Sequence, residues 1–248
     1  MGMILYNGEK EKVLDRIVHA DAIVSDFDGT DVQTPLKRAA MTYLASPRTI
    51  LRKPELVGWG VKAMLRKAMQ GKDADSVLWE ELSGILGEDT IDMIERFYQE
   101  RSNMPDNVLE RSVLSGVKEI YSQLPDAERF YISRNFKDII GLYAHFTGVP
   151  EENIHTGERK GPLLEDIIIA NPENRRYIIR GDSASDDEVL DVADFYRSKG
   201  AIDDYVGIAI GNSSHNDCIH NDIIVSEDQT PLAYDISSYK NSLSDDSS

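Results

Sequence analysis

Two aspartates stand two residues apart in Asp26-Phe27-Asp28-Gly29-Thr30, directly after the apolar run Ala22-Ile23-Val24. Side chains of an extended strand alternate between its faces, so Asp26 and Asp28 cannot point the same way while the chain stays extended. Gly29 lets the backbone turn sharply. One aspartate can then face a substrate as nucleophile while the other stands aside as a proton carrier. Read alone, the same residues also suit a plain strand-end turn, since Asp-Gly is a common turn dipeptide.

Further acids and their partners stand at the ends of other apolar runs. Phe130-Tyr131-Ile132 ends in Ser133-Arg134-Asn135. Tyr177-Ile178-Ile179-Arg180 ends in Gly181-Asp182-Ser183-Ala184-Ser185-Asp186-Asp187, and Arg159-Lys160-Gly161 opens a helical stretch between the two. Carboxylates gathered at one place repel one another without a cation, and oxygen ligands alone favour Mg²⁺. A lysine and a hydroxyl can hold phosphoryl oxygens as charge builds on them.

The elements that must position these groups alternate. The spacing predicts a helix over 9–19, a strand over 22–26, and then an almost wholly helical stretch from Thr34 to about Leu124, with helix starts at Thr34-Pro35, Pro54, Asp73 or Asp75, Asp89 and Val108. Strands over 130–133, 154–155, 176–180, 206–210 and 223–225 follow, alternating with helices over 137–146, 162–170 and 188–199. Such alternation implies an α/β protein, a Rossmann-like doubly wound parallel sheet with helices on both faces. Ligands of such a sheet sit beyond the carboxyl ends of its strands. The expected organisation is a first core part at 1–33, an inserted helical cap at 34–124, a second core part at 125–241 and a disordered acidic tail at 242–248.

The ordered set Asp-x-Asp-Gly-Thr, strand-end Ser, Lys at a helix start and Gly-Asp-x-x-x-Asp resembles the haloacid dehalogenase-like hydrolase superfamily, over roughly residues 21–211. The resemblance implies Asp26 as nucleophile and Asp28 as general acid and base with its backbone carbonyl on a metal. It implies Thr30 in the same loop, Ser133 and Lys160 on the phosphoryl group, Asp182 as metal ligand and Asp186 as the second acid of that motif. Asp187 would act through water. The metal set is thus Asp26, Asp28, Asp182 and Asp186, with Mg²⁺ as cofactor. An acid at Asp28 belongs to phosphatases and phosphomutases of the family, so the resemblance implies phosphoryl transfer. Two positions depart from the pattern. Asp31 stands where an apolar residue is usual, and Arg134-Asn135 replaces a glycine pair after Ser133. Arg134 could reach the substrate or narrow the site.

Composition bounds the rest. The chain has 248 residues, a net charge of −17 and a single cysteine, Cys218. The charge argues against nucleic acid as a partner, and a lone cysteine forms no internal disulfide. The absence of a long apolar run or a signal-like start makes a cytoplasmic protein the expectation. Between Lys37 and Lys72 nine basic residues face one acid, Glu55. Either this is a solvated helix face, or some of its cations draw an anionic phosphoester toward the site. A third reading makes Trp59, Lys62, Arg66 and Lys67 a surface helix for anionic lipid. His155 reads as structural. His215 and His220 flank Cys218 at a spacing that matches no zinc pattern. The function expected is Mg²⁺-dependent hydrolysis of a small phosphorylated metabolite through an aspartyl-phosphate. The alternatives are a phosphomutase on the same scaffold and a catalytically silent phosphate-binding module.

Overall fold

A computed structural model describes residues 3–33, 58, 59, 62, 98–182, 186–211 and 221–245. The chain divides into two units, Met1–Gln33 with Asp106–Ser248, and Thr34–Pro105. In the second unit, residues 58, 59, 62 and 98–102 are helical. The four helix starts expected between Thr34 and Asp89 lie outside the described residues, as does most of the basic stretch. Of that stretch, Lys62 is exposed and the neighbouring Trp59 half-buried.

The first unit is built on a seven-stranded sheet. In chain order its strands are β1 (Ile4–Tyr6), β2 (Ala22–Asp26), β3 (Glu128–Ser133), β4 (Ile154–Thr156), β5 (Arg176–Gly181), β6 (Asp204–Ile210) and β7 (Ile223–Val225). Their spatial order is β1-β7-β6-β5-β2-β3-β4, with only β1 antiparallel. From β2 the chain builds outward through β3 and β4, then returns to pair β5 with the other side of β2. The strand order therefore reverses at β2, where a doubly wound sheet opens a crevice at its carboxyl edge. Every residue of β2 is buried, as a central parallel strand covered on both faces requires.

Helices cover both faces. On one, α1 (Lys10–Val18), α3 (Val117–Gln123) and α7 (Thr230–Asp245) pack Val13, Leu14, Ile17, Ile120, Leu232 and Ile236 against Ile23, Ile178, Val206 and Ile208. On the other, α5 (Lys160–Ala170) and α6 (Asp187–Ser198) pack Leu164, Ile167, Val189 and Leu190 against Val24, Phe130, Ile132 and Ile179. Among the described residues of this unit, the remaining α-helices are α2 (Asp106–Leu109) and α4 (Lys137–Thr147).

Four features differ from the sequence reading. The helix expected from Val108 to Leu124 is two pieces. The chain between them is drawn onto the first loop: Val113 bridges Val32, and the Leu114 N–H donates to the Asp31 carbonyl at 2.9 Å. Gly116, at φ 88°, then turns the chain so closely past Gln229 that a Cβ there would lie 2.3 Å from the Gln229 carbonyl carbon. Residues 106–124, read above as the end of the insertion, lie in the first unit. β1 is a strand the sequence reading did not include. The tail expected to be disordered from Ser242 is helical through Asp245. Its helix is anchored by Leu232, Ala233 and Ile236, which a polar composition hides.

Candidate active site

Asp26 is the last residue of β2 and lies at the carboxyl edge where the strand order reverses. It is 5% exposed, and its Oδ1 accepts the Phe27 N–H at 2.8 Å. Lys160, the first residue of α5, reaches across with Nζ 3.0 Å from Asp26 Oδ1 and 2.5 Å from Asp186 Oδ1. Burial alone would push the Lys160 pKa down, but the two carboxylates outweigh it and the ammonium is held protonated. For Asp26, burial raises the pKa well above the usual carboxylate range, and the nearby Asp186 and Asp182 charges add to that effect against the pull of Lys160.

Asp182 follows β5. Asp26, Asp182 and Asp186 each present a carboxylate oxygen, and these oxygens lie within 4.8 Å of one another. The loop of Asp28 folds directly over Asp182. Gly29, at φ 89°, donates its N–H to the Val32 carbonyl at 2.9 Å. A Cβ on Gly29 would sit 2.1 Å from Asp182 Oδ2. Glycine is required there both by conformation and by the carboxylate packed on it.

Three acids around one ammonium leave an excess of negative charge in a buried place, and like charges so close cannot all stay ionised without a further cation. A hard divalent cation takes oxygen ligands, and all three groups here are carboxylates. The residues present therefore fit a hard divalent cation held by Asp26, Asp182 and Asp186.

The other expected residues fall as follows. Asp28 is half-buried in the turn, and its backbone bridges Val32. Thr30 is fully buried and its Oγ1 has no hydrogen-bond partner among the described residues. Ser133 ends β3, one position beyond Ile132, the register partner of Asp26, and its Oγ accepts the Asn135 N–H at 3.1 Å. Arg134 is exposed. Asp187 opens α6, half-buried. Residues 183–185, and 212–220 with His215, Cys218 and His220, lie outside the described residues. His155 is half-buried on β4, with its ring against Phe130.

Two sets of supporting residues were not read from the sequence. Arg159, the N-cap of α5, makes no side-chain cap. Glu188 of α6 serves instead, its Oε1 accepting the Lys160 N–H at 2.6 Å and the Gly161 N–H at 3.2 Å. Burial works against this charge, but the two N–H groups and Arg159 outweigh it and lower the Glu188 pKa. Glu188 thus fixes the helix end that carries Lys160. An acid at 188 looks like one more member of an acidic run, so nothing local marks it. The second set is a buried ion pair, Asp31 with Arg180 at 2.7 Å, under the reactive edge. Asp31 carried a signal, as the departure from an apolar residue noted above.

No protein-family model matches the sequence, and no curated protein does. Among solved structures the chain is similar to DsGPDH of Dunaliella salina, at TM-score 0.61 and 20% identity, over 91% of this chain and 37% of that one. It is also similar to cytosolic 5'-nucleotidase IIIB bound to cytidine, at TM-score 0.57 and 12% identity, over 96% and 94% of the two chains. With the sheet order and the site at its reversal point, the fold is settled. The chain shares the α/β fold of these two proteins. It spans little more than a third of the Dunaliella protein's length. In this core the strand reversal at β2 puts the ends of β2, β3 and β5 side by side, which is where Asp26, Ser133 and Asp182 stand.

Proposed function

We propose that this protein hydrolyses small phosphomonoesters with the help of Mg²⁺, through a phosphoryl group carried on Asp26. The observation that carries the reading is Lys160 Nζ lying between Asp26 and Asp186, with Asp182 in the same cluster. Asp26, Asp182 and Asp186 would hold the cation, which supplies charge neutralisation for the acids and the phosphoryl oxygens. An Asp26 carboxylate oxygen forms a bond to phosphorus while the bond from phosphorus to the ester oxygen breaks. Asp28 gives its proton to the departing alkoxide. It then takes a proton from water as that water attacks the phosphorus, breaking the bond to Asp26 and releasing inorganic phosphate. Lys160 and Ser133 hold phosphoryl oxygens during both transfers. The basic stretch between Lys37 and Lys72 would draw anionic esters toward a protein of net charge −17.

The test is hydrolysis of p-nitrophenyl phosphate with and without Mg²⁺, followed by a panel of phosphorylated metabolites that includes nucleoside monophosphates. Asp26→Asn is expected to abolish the Mg²⁺-dependent rate. Wild-type turnover in that variant would sink the mechanism, and turnover that depends on a sugar bisphosphate would reassign the protein as a phosphomutase.

A further inference from the structure

One layer below the reactive edge, the three central strands carry polar residues where a parallel sheet ordinarily carries aliphatic ones. Ser25 of β2 is in register with Tyr131 of β3 on one side and Arg180 of β5 on the other. All three are fully buried or nearly so. They lie on the face of the sheet where Ile23 and Ile178 pack, since strand residues two apart share a face.

Asp31 closes this row from the first loop. Its Oδ1 meets Arg180 Nη1 at 2.7 Å, and its Oδ2 accepts from the Tyr131 hydroxyl at 3.0 Å and from the Tyr121 hydroxyl. Arg180 Nη1 also donates to Ser25 Oγ at 3.2 Å and to the Tyr121 oxygen at 3.1 Å. A second tie runs through Gln229. Its Oε1 accepts from Arg180 Nη2, and its Nε2 donates to the Thr30 carbonyl at 2.6 Å. The turn at 27–32 is therefore fastened twice to Arg180, by the Asp31 side chain and by the Thr30 backbone. Arg180 stands two residues before Asp182, the acid against which Gly29 is packed.

This arrangement is a poor device for stability. Among the described residues, Arg180 Nε is buried without a hydrogen-bond partner, as is Thr30 Oγ1. Replacing a buried ion pair by apolar residues of similar volume is often neutral or stabilising. What the pair does provide is a fixed separation between two loops.

We propose that Asp31 and Arg180 are positioning residues, joining the Asp28-Gly29 turn to the strand that carries Asp182 and so setting the spacing of the cation-binding carboxylates. The inference rests on the cation site of the proposed function. It concerns residues that touch neither cation nor substrate.

The decisive variant is the pair Asp31→Leu/Arg180→Met, with Tyr121→Phe as a milder companion that removes one hydroxyl from the network. Amide hydrogen exchange on the metal-free protein is the first readout. Both variants are expected to speed exchange in residues 27–32, about tenfold or more in the pair, while β6 and β7 exchange as in the wild type. The second readout is Mn²⁺ affinity by calorimetry, expected at least tenfold weaker in the pair, with kcat lowered more than KM is raised. Should the pair fail to fold, Tyr121→Phe carries the same signs at smaller size. Unchanged exchange at 27–32 in a folded variant overturns the proposal, as does faster exchange spread evenly through the sheet. A wild-type protein that binds no Mn²⁺ overturns the cation site instead, and the exchange readout still decides the role of the pair.

Discussion

Strands β2 and β5 lie side by side, and each is flanked by charge at both ends, with opposite consequences. At the amino end, Asp21 pairs with Arg176 at 3.0 Å, with the side chains 27% and 46% exposed. Asp21 also accepts the Arg175 and Arg176 backbone N–H groups at 3.0 and 2.8 Å. Burial is the largest single influence and opposes the Asp21 charge, yet the Arg176 side chain and the two N–H groups together outweigh it and lower the pKa. At the carboxyl end, burial is nearly complete and it dominates: Asp26 and Asp31 are both raised, against Lys160 and Arg180 respectively. The same residue types staple two strands together in water and make a charge-hungry site out of it. Access to solvent decides which.

Four measurements separate the roles of these charged groups. The largest effect is expected on turnover. Asp26→Asn should lower the rate by about ten-thousand-fold or more, in line with removal of an attacking group, while Asp21→Asn should leave kcat within about twofold in the same assay. Next is stability. Arg180→Met alone strands the buried Asp31 charge and should lower unfolding free energy by about 3–5 kcal/mol. Arg176→Met, at the exposed end, should lower it by about 1 kcal/mol or less. Urea unfolding of the two variants measures the contrast, and equal losses would erase it. Third, Glu188→Ala removes the cap of α5 and should cost about 1 kcal/mol, with a lowered kcat because Lys160 sits on the loosened turn. The smallest effect concerns pH. The Asp21 pKa is lower folded than unfolded, so its contribution is present above the unfolded value near 4 and is lost as pH falls through the folded one. Acid unfolding of Asp21→Asn should show a slightly shallower dependence in that range, and an unchanged curve would remove Asp21 as a staple.

The sites at the two ends were not equally legible in the sequence. Asp26, Lys160 and Asp182 announce themselves, because each follows or opens an element whose apolar pattern is local. β2, β3 and β5 read correctly for the same reason. The break at Gly116 did not, since it depends on Gln229 lying against it from more than a hundred residues away. α7 was missed because its apolar residues are few among serines and aspartates. Glu188 and Arg180 act through contacts to other elements, which spacing along the chain does not reveal. Asp31 lay between these cases: its type was out of place in a loop that should be apolar, but its partners were not visible.

In the proposed reaction phosphorus is transiently bonded to Asp26. Acid quenching of the protein during turnover of a ³²P-labelled phosphomonoester, followed by borohydride reduction and peptide mapping, tests it directly. Reduction converts an acyl phosphate at Asp26 to homoserine, so the change is expected at residue 26 and nowhere else. Steady hydrolysis with no label on the protein, or homoserine at another aspartate, would contradict it.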